Sequence, residues 1–258
     1  MPAKEKKRAM DITTESIRIP LEAGGTMGGY LARPDDREAR PAILVFMEIF
    51  GINSHIRDVA ERLAREGYVA LAPDYFQRTG PGVEYGYDDE GMERGMALLD
   101  ALKADEMISD VDAAIAWLEA RTDVQSERIG AIGFCIGGQM AYLSACETTV
   151  CCVASFYGGG IAAPVGPGGA ESTIGRTGKI KGRILCLFGE EDGYIPPEQV
   201  AAISAALKDA GVNHETVVYP GADHGFFCDQ RESYQQAAAT DAWDRVKALF
   251  AAELRGDR

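Results

Sequence analysis

Arg128-Ile129-Gly130-Ala131-Ile132-Gly133-Phe134-Cys135-Ile136-Gly137-Gly138 joins an apolar run fit for a buried strand to a stretch compatible with a helix, through the pattern Gly133-x-Cys135-x-Gly137. A strand that turns directly into a helix crowds the residues flanking the turn, and only hydrogen-sized side chains fit there. Gly133 and Gly137 meet that need, so Cys135 reads as an exposed nucleophile on a strained elbow where serine usually stands. The competing reading makes Cys135 an ordinary apolar cysteine, a residue type often buried. It leaves the strand, both glycines and the helix as coincidences.

Outward from this segment, buried strands and helices alternate. Pro41 to Phe46 is a continuous apolar run, the mark of a strand covered on both faces, and a helical stretch follows from His55 to Glu66. Gly67 to Asp74 repeats the strand form. A loop rich in Gly and Tyr runs from Gln77 to Gly91, with helical periodicity from Met92 to Ala104 and from Ile108 to Glu119. Beyond the elbow come strands at Val150 to Tyr157, Arg183 to Phe188 and Glu215 to Tyr219, and helices at Pro197 to Ala210 and Ser233 to Leu254. Thr13 to Pro20 and Met27 to Arg33 alternate as an antiparallel pair. The expected fold is α/β, a mostly parallel central sheet with helices on both faces and an N-terminal antiparallel strand pair. No repeat or linker divides residues 1–258, which read as a single domain; residues 1–11 read as a flexible N-terminus. The Gly/Pro-rich stretch Gly158 to Gly182 reads as an excursion between two strands.

Charge narrows the function classes. With 26 Lys+Arg against 40 Asp+Glu, the net of −14 repels phosphate backbones and anionic membranes and argues against nucleic-acid binding. The longest apolar candidate, Ala42 to Phe50, is interrupted by Glu48 and falls well short of the roughly 18 residues of a membrane span. The basic start Met1 to Arg8 is followed by no apolar segment, so it does not read as a secretory signal. Six cysteines lack metal-ligand spacing, and most sit in apolar runs, which suits free thiols in a reducing cytoplasm. A small-molecule substrate is expected, with no membrane partner, no cofactor or metal, and a monomer or weak dimer.

A cysteine nucleophile needs a base, and the base needs a group to hold its tautomer. On an α/β-hydrolase sheet the order along the chain is nucleophile, acid, histidine. Of three histidines, His224 lies in the turn-rich loop Pro220 to Phe226 just past the last strand, where such a base belongs. His55 opens a helix, which capping or surface exposure explains, and His214 opens a strand as a surface residue. Asp192 follows the strand Arg183 to Phe188 in a Asp-Gly-x-x-Pro turn that can direct its carboxylate inward; Glu190, Glu191 and Asp223 are its competitors. Glu48, immediately past the strand Pro41 to Phe46, brings a second carboxylate to the same rim, where burial requires a hydrogen-bond partner or a proton.

Met47-Glu48-Ile49-Phe50-Gly51-Ile52-Asn53, the Cys135 elbow, Asp192 and Gly221-Ala222-Asp223-His224-Gly225-Phe226 together resemble the dienelactone hydrolases (carboxymethylenebutenolidases) over roughly Ile17 to Phe250. The resemblance implies an α/β-hydrolase fold without a large lid and a triad of Cys135, His224 and Asp192. It gives Glu48 the role of contacting the resting thiol and helping to generate the thiolate. It also implies an oxyanion hole from the Ile49 and Ile136 backbone N–H groups, which agrees with their places after the two strands. Arginines that clamp a substrate carboxylate are expected from the helix after the long loop, where Arg94 lies, and a few residues beyond the histidine, where arginine arrives late as Arg231. Arg94, Phe50 and Phe226 are the candidate substrate contacts.

The resulting expectation is a hydrolase of lactones or activated esters acting through a thioester. Two other classes compete: a catalytically silent member of the fold that binds a small molecule or protein, and a thiol redox sensor in which Cys228 would resolve an oxidised Cys135.

Overall fold

The computed structural model describes residues 10–36 and 38–256. Eight strands form one sheet: β1 (Ile12–Pro20), β2 (Thr26–Pro34), β3 (Arg40–Phe46), β4 (Val69–Pro73), β5 (Val124–Phe134), β6 (Cys152–Phe156), β7 (Arg183–Gly189) and β8 (His214–Tyr219). Their order across the sheet is β1-β2-β4-β3-β5-β6-β7-β8. Only β2 runs against its neighbours, pairing antiparallel with β1 and β4. All pairings from β4 through β8 are parallel. Crossovers between these strands require helices, and the helical periods supply them: α1 (Ser54–Arg65), α2 (Asp89–Leu99), α3 (Ala104–Glu119), α4 (Ile136–Glu147), α5 (Pro197–Asp209) and α6 (Gln236–Phe250).

The apolar runs become central strands: every residue of β4 and β6, and Pro41 to Phe46 of β3, is buried. The chain moves from β3 outward to β4, then crosses back to β5 on the other side of β3. Open parallel sheets carry a crevice at the carboxyl ends of strands where the winding reverses. Residues just beyond β3 and β5 flank that crevice, and Glu48 and Cys135 occupy those positions.

Several boundaries differ from the sequence reading. Helix α2 starts at Asp89 rather than Met92, because the Asp88 side chain caps it by accepting from the Gly91 amide at 2.8 Å. It stops at Leu99, and α3 starts at Ala104 instead of Ile108. The last helix is shorter than expected and continues as a wider turn over Ala251–Arg255. His55 is a correction: it neither caps α1 nor reaches the surface. Asn53 is the cap, accepting from the Ile56 amide, while His55 is buried with both ring nitrogens unpartnered, edge-on to Phe134 and Phe227. Burial pushes its pKa down, which keeps the ring neutral. His214 opens β8 half-buried, its Nδ1 2.8 Å from the Val212 carbonyl oxygen. Residues 1–9 of the expected flexible terminus lie outside the described residues; β1 begins at Ile12.

Candidate active site

Cys135 sits between β5 and α4 at φ 58°, ψ −120°, a left-handed conformation costly for a residue with a Cβ. The close approaches that hold it explain the flanking glycines. A Cβ on Gly133 would lie 1.9 Å from the Gly137 carbonyl oxygen, and one on Gly137 would lie 2.3 Å from the Phe46 carbonyl oxygen. The elbow is thus wedged against the end of β3, and its thiol remains partly accessible.

His224 and Asp192 reach the same place from the loops after β8 and β7. The Asp192 carboxylate is buried; its Oδ1 accepts from the Tyr194 and Ile195 amides at 2.9 and 3.2 Å. Its Oδ2 lies 2.8 Å from His224 Nδ1. With a carboxylate there, Nδ1 carries a proton, and Nε2 is left outside that pair. Two of the competing acids are used elsewhere, Glu190 accepting from the Gly221 amide and Asp223 from the backbone amide of His224, and the third, Glu191, is exposed. Burial works against a charged imidazole, but the charge and hydrogen bond of Cys135, with those of Asp192, outweigh it and push the His224 pKa up from 6.5 to about 10.

Glu48 is 1% exposed and carries two donors: the Tyr87 hydroxyl at 3.1 Å on Oε2 and Arg231 Nη1 at 3.1 Å on Oε1. Burial and the Glu48 charge hold the Tyr87 pKa far above its ordinary value, so the phenol remains a donor. Burial disfavours the Arg231 charge, but Glu48 together with Tyr157, Cys135 and Cys228 outweighs it and raises the Arg231 pKa. The Arg231 guanidinium lies 5.5 and 5.8 Å from the Tyr87 and Phe50 ring centres. The loop carrying Glu48 and Ile49 is braced by the Tyr75 hydroxyl donating to the Met47 carbonyl oxygen and by the Tyr85 amide donating to that of Phe50.

A cavity of about 550 Å³ opens at this point, lined by Cys135, His224, Ile49, Ile136, Phe50 and Arg231 among others. As the first residue of α4, Ile136 has an amide without an intrahelical acceptor. Two candidate substrate contacts are corrected. Arg94 is exposed on the outer face of α2, paired with Glu90 and stacked on Tyr85, away from the cavity. Phe226 is fully buried against Tyr157 and Tyr219, so it shapes the His224 loop from behind. Arg231, which the spacing had placed late, does line the cavity, and Tyr87 was not singled out at all. Cys228 is buried, with Tyr87 and Glu48 acting on its thiol, and burial pushes its pKa up to about 11. Among the described residues no group of His, Cys, Asp and Glu could hold a metal ion, and no helix is long and apolar enough to cross a membrane.

The sheet order, the elbow after β5 and the loops after β7 and β8 define an α/β-hydrolase fold. The profile of the dienelactone hydrolase family matches residues 27–254, and the chain belongs to that family. It is 49% identical over 246 residues to a Synechocystis protein named "Putative carboxymethylenebutenolidase", covering 95% of this chain and 99% of that one. A Salmonella typhimurium protein of the same name is 32% identical, over 90% of this chain and 85% of that one. The crystal structure of a "Putative Dienelactone Hydrolase" from Klebsiella pneumoniae superposes with a TM-score of 0.83 at 32% identity, covering 93% of this chain and 99% of that one.

Proposed function

We propose that the protein hydrolyses lactones or activated esters, with Cys135 as nucleophile, His224 as acid and base, and Asp192 holding the imidazole. The observation that carries this reading is the contact from Asp192 Oδ2 to His224 Nδ1 at 2.8 Å, with Cys135 acting on the same imidazole and Cys135 and His224 both lining one cavity.

His224 holds the proton as an imidazolium beside the Cys135 sulfur, which bonds to the substrate carbonyl carbon. The carbonyl electron pair moves onto oxygen, where the Ile49 and Ile136 amides stabilise it. Collapse re-forms the carbonyl, breaks the C–O bond and sends the proton from His224 to the departing oxygen, leaving a thioester. Acylation also removes the Cys135 charge, the foremost of the influences raising the His224 pKa. The imidazole then drops toward neutrality and can take a proton from water, whose oxygen attacks the thioester; the sulfur leaves with the bonding electrons and the proton stays on His224, restoring the resting pair. A thiolate is expelled readily from adducts with poor leaving groups, which favours strained lactones and activated esters over amides.

Glu48 and Arg231 form the wall beside this relay. Their pairing balances two buried charges next to Cys135 and keeps the Glu48 carboxylate engaged until substrate arrives. Incubating the wild type, Cys135→Ala and His224→Ala with a dienelactone, simple lactones and an aryl acetate tests the assignment. Hydrolysis by the wild type alone supports it, whereas turnover that survives both substitutions overturns it.

A further inference from the structure

The cavity extends well beyond the reacting groups. Met92, Met96 and Leu99 line it from α2, spaced so that they share one helical face, while Glu90 and Arg94 pair on another. Further apolar lining comes from the excursion after β6, where Ala163, Val165 and Pro167 also line the cavity. That excursion is anchored by Gln139, whose Nε2 donates to the Gly160 carbonyl oxygen at 2.9 Å and to the Thr173 hydroxyl at 3.0 Å. Helix α2 is seated directly on the carbonyl-binding loop: a Cβ on Gly95 would lie 2.7 Å from the Ile49 carbonyl oxygen. The row Met92, Met96 and Leu99 therefore belongs to the helix that packs on Ile49.

Exposure and charge along this arm point the same way. Met96, Val165 and Tyr194 are 43%, 56% and 68% exposed, three of the five large apolar side chains left open to water among the described residues, and all three line this one cavity. Such clustering at a single mouth marks a binding surface rather than scattered surface apolarity. Among the described residues, the cations lining the cavity are His224, held by Asp192, and Arg231, paired with Glu48, both at the reacting end; the carboxylate in the lining is Asp100, next to Leu99. An anionic group is therefore unwelcome along α2, and an uncharged apolar one loses only its contact with water. A volume of about 550 Å³ lies in the range that houses drug-sized ligands, larger than a bare monocyclic lactone needs.

We propose that the substrate is an ester or lactone carrying an extended, uncharged alkyl or aryl substituent that lies along α2, with Met92, Met96 and Leu99 determining the preference. This inference rests on the hydrolase reading above. Thioether side chains adapt to shape, so the arm selects for apolar bulk rather than for one outline.

The test is kcat/KM for 4-nitrophenyl acetate, butanoate, hexanoate and octanoate, and for γ-lactones with alkyl chains of matching length, using the wild type, Met96→Glu and Val165→Glu. Wild-type kcat/KM is expected to rise about two- to fourfold per methylene, fourfold corresponding to ~0.8 kcal/mol for a fully buried methylene. Either glutamate should flatten that slope, and thermal melting confirms that each variant is folded. Val165→Glu, on a half-exposed loop residue, keeps the test open if Met96→Glu does not fold. A flat or falling wild-type slope, with acetate still cleaved in a Cys135-dependent way, overturns this inference and leaves the hydrolase reading standing. Failure to cleave any of the esters or lactones overturns both.

Discussion

Replacing Cys135 by alanine should lower the pKa of His224 by about 2 pH units, or ~2.7 kcal/mol of interaction between thiol and imidazole. The magnitude follows from how the site raises that pKa from 6.5 to about 10: burial opposes the shift, and of four favourable influences two come from Cys135 and two from Asp192. Alanine removes the first pair, which ranks ahead of the second, and leaves burial and Asp192 in place, so at least half of that rise is lost. The chain has only three histidines, so ¹⁵N-labelled imidazole spectra recorded across pH 5–11 can be assigned with a His224→Ala control. In the wild type His224 should remain protonated through neutral pH and lose its proton only toward pH 10. His55 should stay neutral to lower pH than an ordinary histidine, since burial disfavours its charged form. A His224 midpoint that is the same in wild type and Cys135→Ala, or one near 6.5 in the wild type, refutes the coupling on which both acylation and deacylation depend.

Other consequences follow from individual contacts. Asp192→Asn keeps the packing but loses the carboxylate that sets the Nδ1 proton, and kcat for ester hydrolysis should fall on the order of 10²–10⁴-fold, with little change in KM; an undiminished kcat removes Asp192 from the relay. Arg231→Met strands the buried Glu48 charge and should cost about 3 kcal/mol in urea denaturation, part of which Glu48→Gln in the same chain should restore. An unchanged midpoint in the single variant shows that the pair does not hold Glu48. Gly137→Ala drives a methyl into the Phe46 carbonyl oxygen and should abolish activity or soluble expression; a fully active variant contradicts the wedged elbow.

Most of the fold could be read locally. Continuous apolar runs announced β3 to β7, and the two glycines around Cys135 announced the elbow, because the constraint they satisfy is steric and only a few residues long. The places of Asp192 and His224, now 2.8 Å apart, were legible for a related reason: each follows a strand to the same rim. Arg94 and Arg231 show where such reasoning stops. Whether a helical residue faces a cavity depends on the helix phase, and the apolar spacing Met92, Met96, Leu99 was the available sign that this face, and not Arg94, turns inward. Arg231 reaches Glu48 across 183 positions of sequence, and nothing local to either residue records that pairing. His55 was misplaced because its helix-opening position suggested a cap, while the aromatic pocket that buries it comes from Phe134 and Phe227, far along the chain.

The central claim is that Cys135 forms a thioester with the substrate's acyl group. Rapid-quench mass spectrometry of the wild type with an aryl ester tests it most directly: the account predicts a transient mass increase equal to the acyl group, mapped to the peptide containing Cys135, that persists longer in His224→Ala if that variant is acylated and is absent in Cys135→Ala. Steady turnover with no adduct at any quench time, together with undiminished activity in Cys135→Ala, would contradict it.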